Sequence, residues 1–159
     1  MIDFEKLVIM GESAGGHIAV MLGMDDEVSA DAVVALNPVL DVVNKWSYVA
    51  KNDSDRFKLS PAFNVKVSRS KYLIMHGTAD TDVDFRISCK FSSDMARLGA
   101  DCEYIGIEGE RHSFIIYGYR SEEVKILEYM AMIDNYLFNS GMTDAAPRRK
   151  RKFPLEDIK

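Results

Sequence analysis

Four short apolar stretches punctuate the chain: Lys6 to Met10, Asp31 to Leu36, Lys71 to His76 and Cys102 to Ile107. Each is rich in aliphatic or β-branched residues and bounded by Gly, Pro or Asn, the pattern of short buried strands. Between them apolar positions recur at helical spacing. Gly16 to Leu22 follows the first strand, Ile87, Phe91, Met95 and Leu98 share a face that stops at Gly99, and Ile126, Met130, Ile133 and Leu137 make a stripe ending before Gly141. Alternating strand and helix predicts parallel strands with right-handed crossovers: an α/β fold of three α/β/α layers around a mostly parallel sheet. The stretch from Asn37 to Ser70 breaks this alternation. It is polar, with Pro38, Asn52, Asp53 and Pro61, yet it carries Trp46, Tyr48 and Phe57. A helical or irregular excursion over the sheet suits it better than another βα unit.

Composition narrows the classes. The chain has 159 residues, 47% of them hydrophobic and 28% charged, as expected of one soluble globular domain. No run approaches the roughly 18 apolar residues of a membrane span, so no membrane partner is expected. The acidic start, Met-Ile-Asp-Phe-Glu-Lys, is unlike a secretory signal, and as written the chain is expected in the cytoplasm. Cys89 and Cys102 form neither a CxxC pair nor part of a ligand cluster; reduced, buried or half-buried thiols are expected, with no metal and no cofactor.

The net charge of −5 divides unevenly. Residues 1–146 hold 14 Lys and Arg against 23 Asp and Glu, and residues 147–159 hold 6 against 2. Most of the positive charge lies in Arg148, Arg149, Lys150, Arg151 and Lys152. An acidic body repels phosphate, so this run reads as a solvated terminus, and nucleic acid is not expected as a partner. The division is therefore a domain over 1–142 and a basic, flexible tail over 143–159.

The strongest chemical signal is Gly11-Glu12-Ser13-Ala14-Gly15, directly after one predicted strand and before a helix. This is the G-x-S-x-G arrangement in the context that gives it meaning, with a serine on a tight strand-to-helix turn and its Oγ exposed above the sheet. Gly11 and Gly15 are read as giving the backbone room. The helix N-terminus adds free N–H groups, and the Ala14 amide is placed to stabilise an oxyanion.

A nucleophilic serine needs a base and an orienting acid, which in this arrangement follow in the order Ser, Asp or Glu, His. His112, in a loop after the fourth strand, is favoured as the base. His17 lies four residues past the serine on the helix, and His76 at a strand end reads as a hydrogen-bonded core or turn residue. Asp80, Asp82 and Asp84 crowd the loop after the third strand. Spacing does not choose among them, although such crowding sends at least two to solvent or to hydrogen-bond donors.

The strings GESAGGH, HGTADTDVDF and GERHSF, with LSPAFNV between the first two, resemble the α/β-hydrolase esterases of the acetyl-esterase and acetylxylan-esterase-like type. The resemblance runs from about Phe4 to Met142. It implies Ser13 as nucleophile, His112 as base and Asp80, which closes HGTAD, as acid. Asp84 stands where relatives commonly have proline. HGTAD also resembles the prolyl-oligopeptidase-like peptidases, but those usually carry an aromatic after the nucleophile, where this chain has Ala14. The implied activity is hydrolysis of a small, short-chain ester of the acetyl type, carbohydrate esters included, with Glu12, Trp46, Tyr48 and Tyr117 as candidate walls of the substrate site.

Relatives carry, upstream of the nucleophile strand, the first half of the sheet and an HGG-type loop that donates a second oxyanion N–H. No HGG string occurs in this chain. The resemblance therefore covers the C-terminal half of the fold. Loss of one oxyanion donor costs roughly 10²–10³ in kcat, and an unpaired nucleophile strand invites pairing with another chain. Two alternatives follow: a truncated, weakly active or inactive fragment, paired through its open edge in a homo-oligomer, and a prolyl-oligopeptidase-like peptidase. A missing N-terminal part would also reopen an extracellular location.

Overall fold

Along the second and third apolar stretches, alternate residues face opposite ways. Val33, Ala35, Tyr72 and Ile74 belong to one core cluster, and Val34, Leu36, Leu73 and Met75 belong to the other. Only a sheet covered on both faces buries both sets, and every residue of the second stretch is buried. The computed structural model describes residues 5–28, 30–119, 121–144 and 146. Its strands are β1 (Val8–Glu12), β2 (Ala32–Leu36), β3 (Lys71–Gly77) and β4 (Cys102–Ile107). They pair in sequence order, all parallel, with Met10 opposite Val34, Val34 opposite Leu73, and Leu73 opposite Glu103.

Among the described residues the α-helices are α1 (Ala14–Gly23), α2 (Asp53–Lys58), α3 (Phe85–Arg97) and α4 (Glu123–Asn139). Ala19 and Val20 of α1 join Phe91 and Met95 of α3 on one face of the sheet. Tyr129, Ile133 and Tyr136 of α4, with Phe114, cover the other. The α/β fold read from the sequence is thus the fold observed. No helix among the described residues is long and apolar enough to cross a membrane.

Several local expectations change. β1 lies two residues later than its apolar run suggested, because its backbone stays extended through Gly11 and Glu12. On α3 the buried positions are Ser88, Phe91, Ser92 and Met95, whereas Leu98 caps the helix and is 53% exposed. On α4 the fully buried positions alternate aliphatic and tyrosine: Ile126, Tyr129, Ile133 and Tyr136. Cys89 is exposed rather than buried, while burial pushes the half-buried Cys102 thiol up to about 11 against a smaller opposing pull from Ser92. The basic run from Arg148 to Lys152 lies outside the described residues.

The excursion after β2 holds 3₁₀ turns at Ser47–Val49 and Pro61–Phe63 around α2. Its Val39 and Val42 share a small core with Val83 of the loop after β3, and Trp46 and Leu59 pack against it. Ser60 fastens it: its Oγ donates to the Arg56 carbonyl at 2.8 Å and accepts from the Val42 amide at 3.0 Å. Among the described residues β1 pairs on one edge only, and its residues are half-buried or exposed where those of β2 are buried.

Candidate functional site: a serine, two histidines and an aspartate at the strand ends

β1, β3 and β4 all point their C-terminal ends toward one rim, where parallel sheets leave room for a site. Ser13 stands between β1 and α1 with φ 55° and ψ −116°, a conformation L residues rarely adopt. Its amide donates to the Leu36 carbonyl at 2.8 Å, and its own carbonyl accepts from His17 N–H at 3.0 Å, so the turn is held from both sides. The turn closes only over a glycine. A Cβ on Gly11 would lie 2.2 Å from the Gly15 carbonyl oxygen. Gly15 itself has open space around it, contrary to the sequence reading, and the second close approach falls on Gly16 against Pro38. Ala14 opens α1, so its N–H is one of the amides a helix leaves without an internal partner.

Across the rim, the loop after β4 brings His112 to Ser13. The Ser13 hydroxyl donates to His112 Nε2 at 2.9 Å, and His112 Nδ1 donates to Asp80 Oδ2 at 2.7 Å. Nδ1 faces a carboxylate and so carries the proton, which leaves Nε2 as the acceptor. Of the three crowded aspartates, Asp80 is the one that reaches the imidazole. The Asp82 and Val83 amides donate to Asp80 Oδ1 at 2.8 and 2.9 Å, and its side chain is fully buried. Asp84 turns away to cap α3, accepting from the Arg86 amide at 3.0 Å and pairing with the Arg86 guanidinium.

These contacts set the electrostatics. Burial opposes the charged form of Asp80, but hydrogen bonds from His112, His76 and the Val83 and Asp82 amides outweigh it and hold the carboxyl well below the usual carboxylate range. The same hydrogen bond to Asp80 raises the His112 pKa against the effect of burial, helped by the charges of Asp80, Glu12 and Asp82. Asp80, Asp82 and His112 each bring one potential metal-ligand atom within 4.8 Å of the others. An ion there would compete with the His112–Asp80 hydrogen bond.

A cavity of about 370 Å³ opens beside the serine, lined by Ser13, Ala14, His17, Ile18, Val39, Val42, Trp46, Tyr48 and Val49. Its wall is mostly aliphatic and aromatic. Trp46 and Tyr48 meet edge to face at 5.9 Å, and His17 donates from Nδ1 to the Val39 carbonyl at 2.7 Å, which commits its ring to the wall. Tyr117 is not among the lining residues: Phe114 takes the buried place in that segment, edge-on to Tyr129, and Tyr117 is 58% exposed. Glu12 is half-buried beside the serine, with Oε1 enclosed and unpaired among the described residues.

Two residues at the rim escaped the sequence reading. Glu110 accepts from Ser121 Oγ at 3.0 Å, Lys125 Nζ at 2.8 Å and Tyr129 OH at 2.9 Å, fixing the loop of His112 to α4. Its carbonyl accepts from the Ala79 amide at 2.9 Å, so the same residue also steadies the loop of Asp80. Asn37, with φ 42°, donates its amide to the Met75 carbonyl and accepts Gly77 N–H on Oδ1, stitching the end of β2 to that of β3. The one signal for Asn37 was the Asn-Pro pair ending a strand. Glu110 had none, because its partners lie 11 to 19 residues away.

Several known proteins are similar to this chain in fold or in sequence. Esterase 2 of the planctomycete Thermogutta terrifontis, in its native form, superposes with a TM-score of 0.77 at 26% identity, over 92% of this chain and 59% of that one. The butyrate-bound form of the same esterase gives 0.74 at 25% identity, over 90% and 59% of the two chains. The form phosphorylated by paraoxon gives 0.76 at 26%, over 91% and 57%. Among curated proteins, dipeptidyl peptidase family member 2 of Caenorhabditis elegans is 24% identical in a match that covers 74% of this chain and 16% of that protein. Mouse prolyl endopeptidase FAP is 25% identical in a match that covers 70% of this chain and again 16% of the relative. The chain thus spans about a sixth of the curated relatives it matches and just under three fifths of the esterase. The sequence reading placed the esterases first and the prolyl-oligopeptidase-like peptidases second, on the missing aromatic after Ser13. The structural likeness falls on the first and the family match on the second, so Ala14 is a departure within a family rather than a reason to exclude it. Residues 1–140 match the prolyl oligopeptidase family, and the chain belongs to it.

Proposed function

We propose that the chain is the catalytic part of a serine hydrolase that cleaves carboxylic esters with short acyl groups through an acyl-enzyme. The observation that carries this reading is the unbroken hydrogen-bond chain from Asp80 Oδ2 through His112 to Ser13 Oγ, at 2.7 and 2.9 Å. Ser13 Oγ attacks the ester carbonyl as its proton passes to His112 Nε2, and the Ala14 N–H supports the oxyanion. The tetrahedral intermediate expels the alcohol, which takes that proton from His112. Water then gives a proton to His112 and adds to the acyl-enzyme. The acid leaves, and Ser13 recovers its proton. Asp80 holds the imidazole in the tautomer this needs and stabilises the imidazolium.

The apolar cavity at Ser13 and Trp46 supports a small acyl or side-chain group beside the nucleophile. The propionate- and butyrate-bound forms of the esterase neighbour agree with that size. The curated relatives, both named as peptidases, favour a second reading in which the same groups cleave an amide. An alcohol is a far better leaving group than an amine, so the ester asks less of the site.

The test is turnover of p-nitrophenyl acetate and p-nitrophenyl butyrate beside glycyl-prolyl-p-nitroanilide, with Ser13→Ala as control. Ester turnover that disappears in the variant is the expected result. Anilide turnover exceeding it would favour the peptidase, and ester turnover that survives S13A would overturn the role of Ser13.

A further inference from the structure

Beneath the site lies a second imidazole that the proposed reaction does not use. His76, at the end of β3, has no solvent exposure. Its Nε2 lies 3.1 Å from Asp80 Oδ2 and 3.2 Å from the Val83 carbonyl oxygen, and its Nδ1 lies 2.8 Å from Ser88 Oγ on α3. Nε2 faces two acceptors and therefore carries the proton. Nδ1 faces a hydroxyl able to donate, so the neutral tautomer satisfies every contact. Asp80 Oδ2 is the same oxygen that accepts from His112. The hydrogen bonds therefore run Ser88, His76, Asp80, His112, Ser13, from a buried helix face to the nucleophile.

We infer that His76 is a positioning residue: it donates from below to the Asp80 oxygen that also holds His112, Ser88 fixes the tautomer that lets it donate, and the strength of the His112–Asp80 pairing is thereby set. The inference rests on the triad reading for its meaning, although the coupling itself is measurable without turnover. An N–H donated to a carboxylate draws charge from it, so the second donor on Oδ2 weakens the pull of Asp80 on the His112 proton. Removing that donor strengthens the pull. The other charged groups around the pair stay in place: Glu12 and Asp82 act on His112, and Asp84 is paired with Arg86. Lys45 Nζ donates to the Thr81 and Asp82 carbonyls at the rim.

The chain has three histidines, so the His112 ring titration can be followed by NMR, with His17 as internal reference. In His76→Phe the His112 midpoint should rise by about half a pH unit. In His76→Gln, whose amide N–H can reach the same oxygen, it should stay near the wild-type value. Ser88→Ala, which frees the His76 tautomer, should produce a smaller rise, and it carries the test if H76F does not fold. The acid limb of the kcat/KM profile for p-nitrophenyl acetate should move with the midpoint. A His112 midpoint that falls in H76F or S88A, or is unchanged in whichever of those two folds, overturns the inference. If the midpoint moves while the wild type has no Ser13-dependent turnover, the coupling stands and the triad reading falls. If S13A abolishes turnover but the midpoint does not move, the triad reading stands and the coupling falls.

Discussion

The two halves of the site are held by different means. On the β1 side, Ser13 is placed by backbone: a left-handed turn, a glycine without which the turn cannot close, and the hydrogen bond from its N–H to the Leu36 carbonyl. On the β3–β4 side, Asp80 and His112 are placed by side chains, through four hydrogen bonds to the Asp80 carboxylate and three to that of Glu110. A nucleophile must present its oxygen with little around it, so geometry has to come from the main chain. A base and its acid must keep a proton on a chosen atom, which requires partners of defined polarity.

The contrast can be broken from either side. The largest effect is expected from removing reacting groups: S13A and H112A should each lower kcat for p-nitrophenyl acetate by at least about 10³, and D80N by roughly 10³–10⁴ through loss of the tautomer, with D80N keeping its fold. Backbone placement is probed by a glycine pair. Gly11→Ala meets main chain and should cost about 1–3 kcal/mol or more in chemical denaturation. Gly15→Ala, in open space within a helix, should stabilise by about 0.5–1 kcal/mol. Equal costs at the two positions would refute a turn built around Gly11.

On the polar side, Glu110→Ala leaves the buried Tyr129 hydroxyl without its acceptor and should cost about 1–3 kcal/mol, read by the same denaturation. A smaller effect comes from pH. The raised His112 pKa gives a contribution to stability that is complete below about pH 6.5 and fades as pH rises through its folded value. The depressed Asp80 pKa gives one complete above about pH 3.9 and lost as pH falls through its folded value. Melting temperature should therefore be highest between those limits, and D80N should flatten the profile. Ester hydrolysis needs neutral His112, so kcat/KM should rise with pH through a midpoint above that of a free imidazole.

Much of this was legible in the residues. Strand-length apolar runs and their alternation with helices carried the layer arrangement. The order of serine, aspartates and histidine, each just past a strand, carried Ser13 and His112, and the resemblance of HGTAD chose Asp80 among three crowded aspartates; the structure brings the three within hydrogen-bond distance. What hydropathy missed were polar groups whose partners are distant in sequence or hidden by topology. Ser88 and Ser92 occupy the buried face of α3, and Tyr129 and Tyr136 that of α4; Ser88 pairs with His76 and Tyr129 with Glu110, which lets those two hydroxyls go inside. His76 read as a core histidine, and it is buried as such a residue should be. Its second contact, to the carboxylate of Asp80, depends on how the next loop folds back. Tyr117 was over-read for a similar reason, since aromatic character does not say which way a loop residue turns.

The excursion between β2 and β3 carries none of Ser13, His112 or Asp80, although its Val39 amide donates to the Ser13 carbonyl at 3.3 Å and its valines pack on Val83, whose amide holds Asp80. It nevertheless supplies Trp46, Tyr48 and Val49 to the cavity wall. The reacting groups and the cavity wall therefore sit on different segments that meet at Val39, Val42 and Val83. A lineage could redraw what fits beside Ser13 by changing Trp46, Tyr48 and Val49, and inherit the proton path as long as those three valines stay.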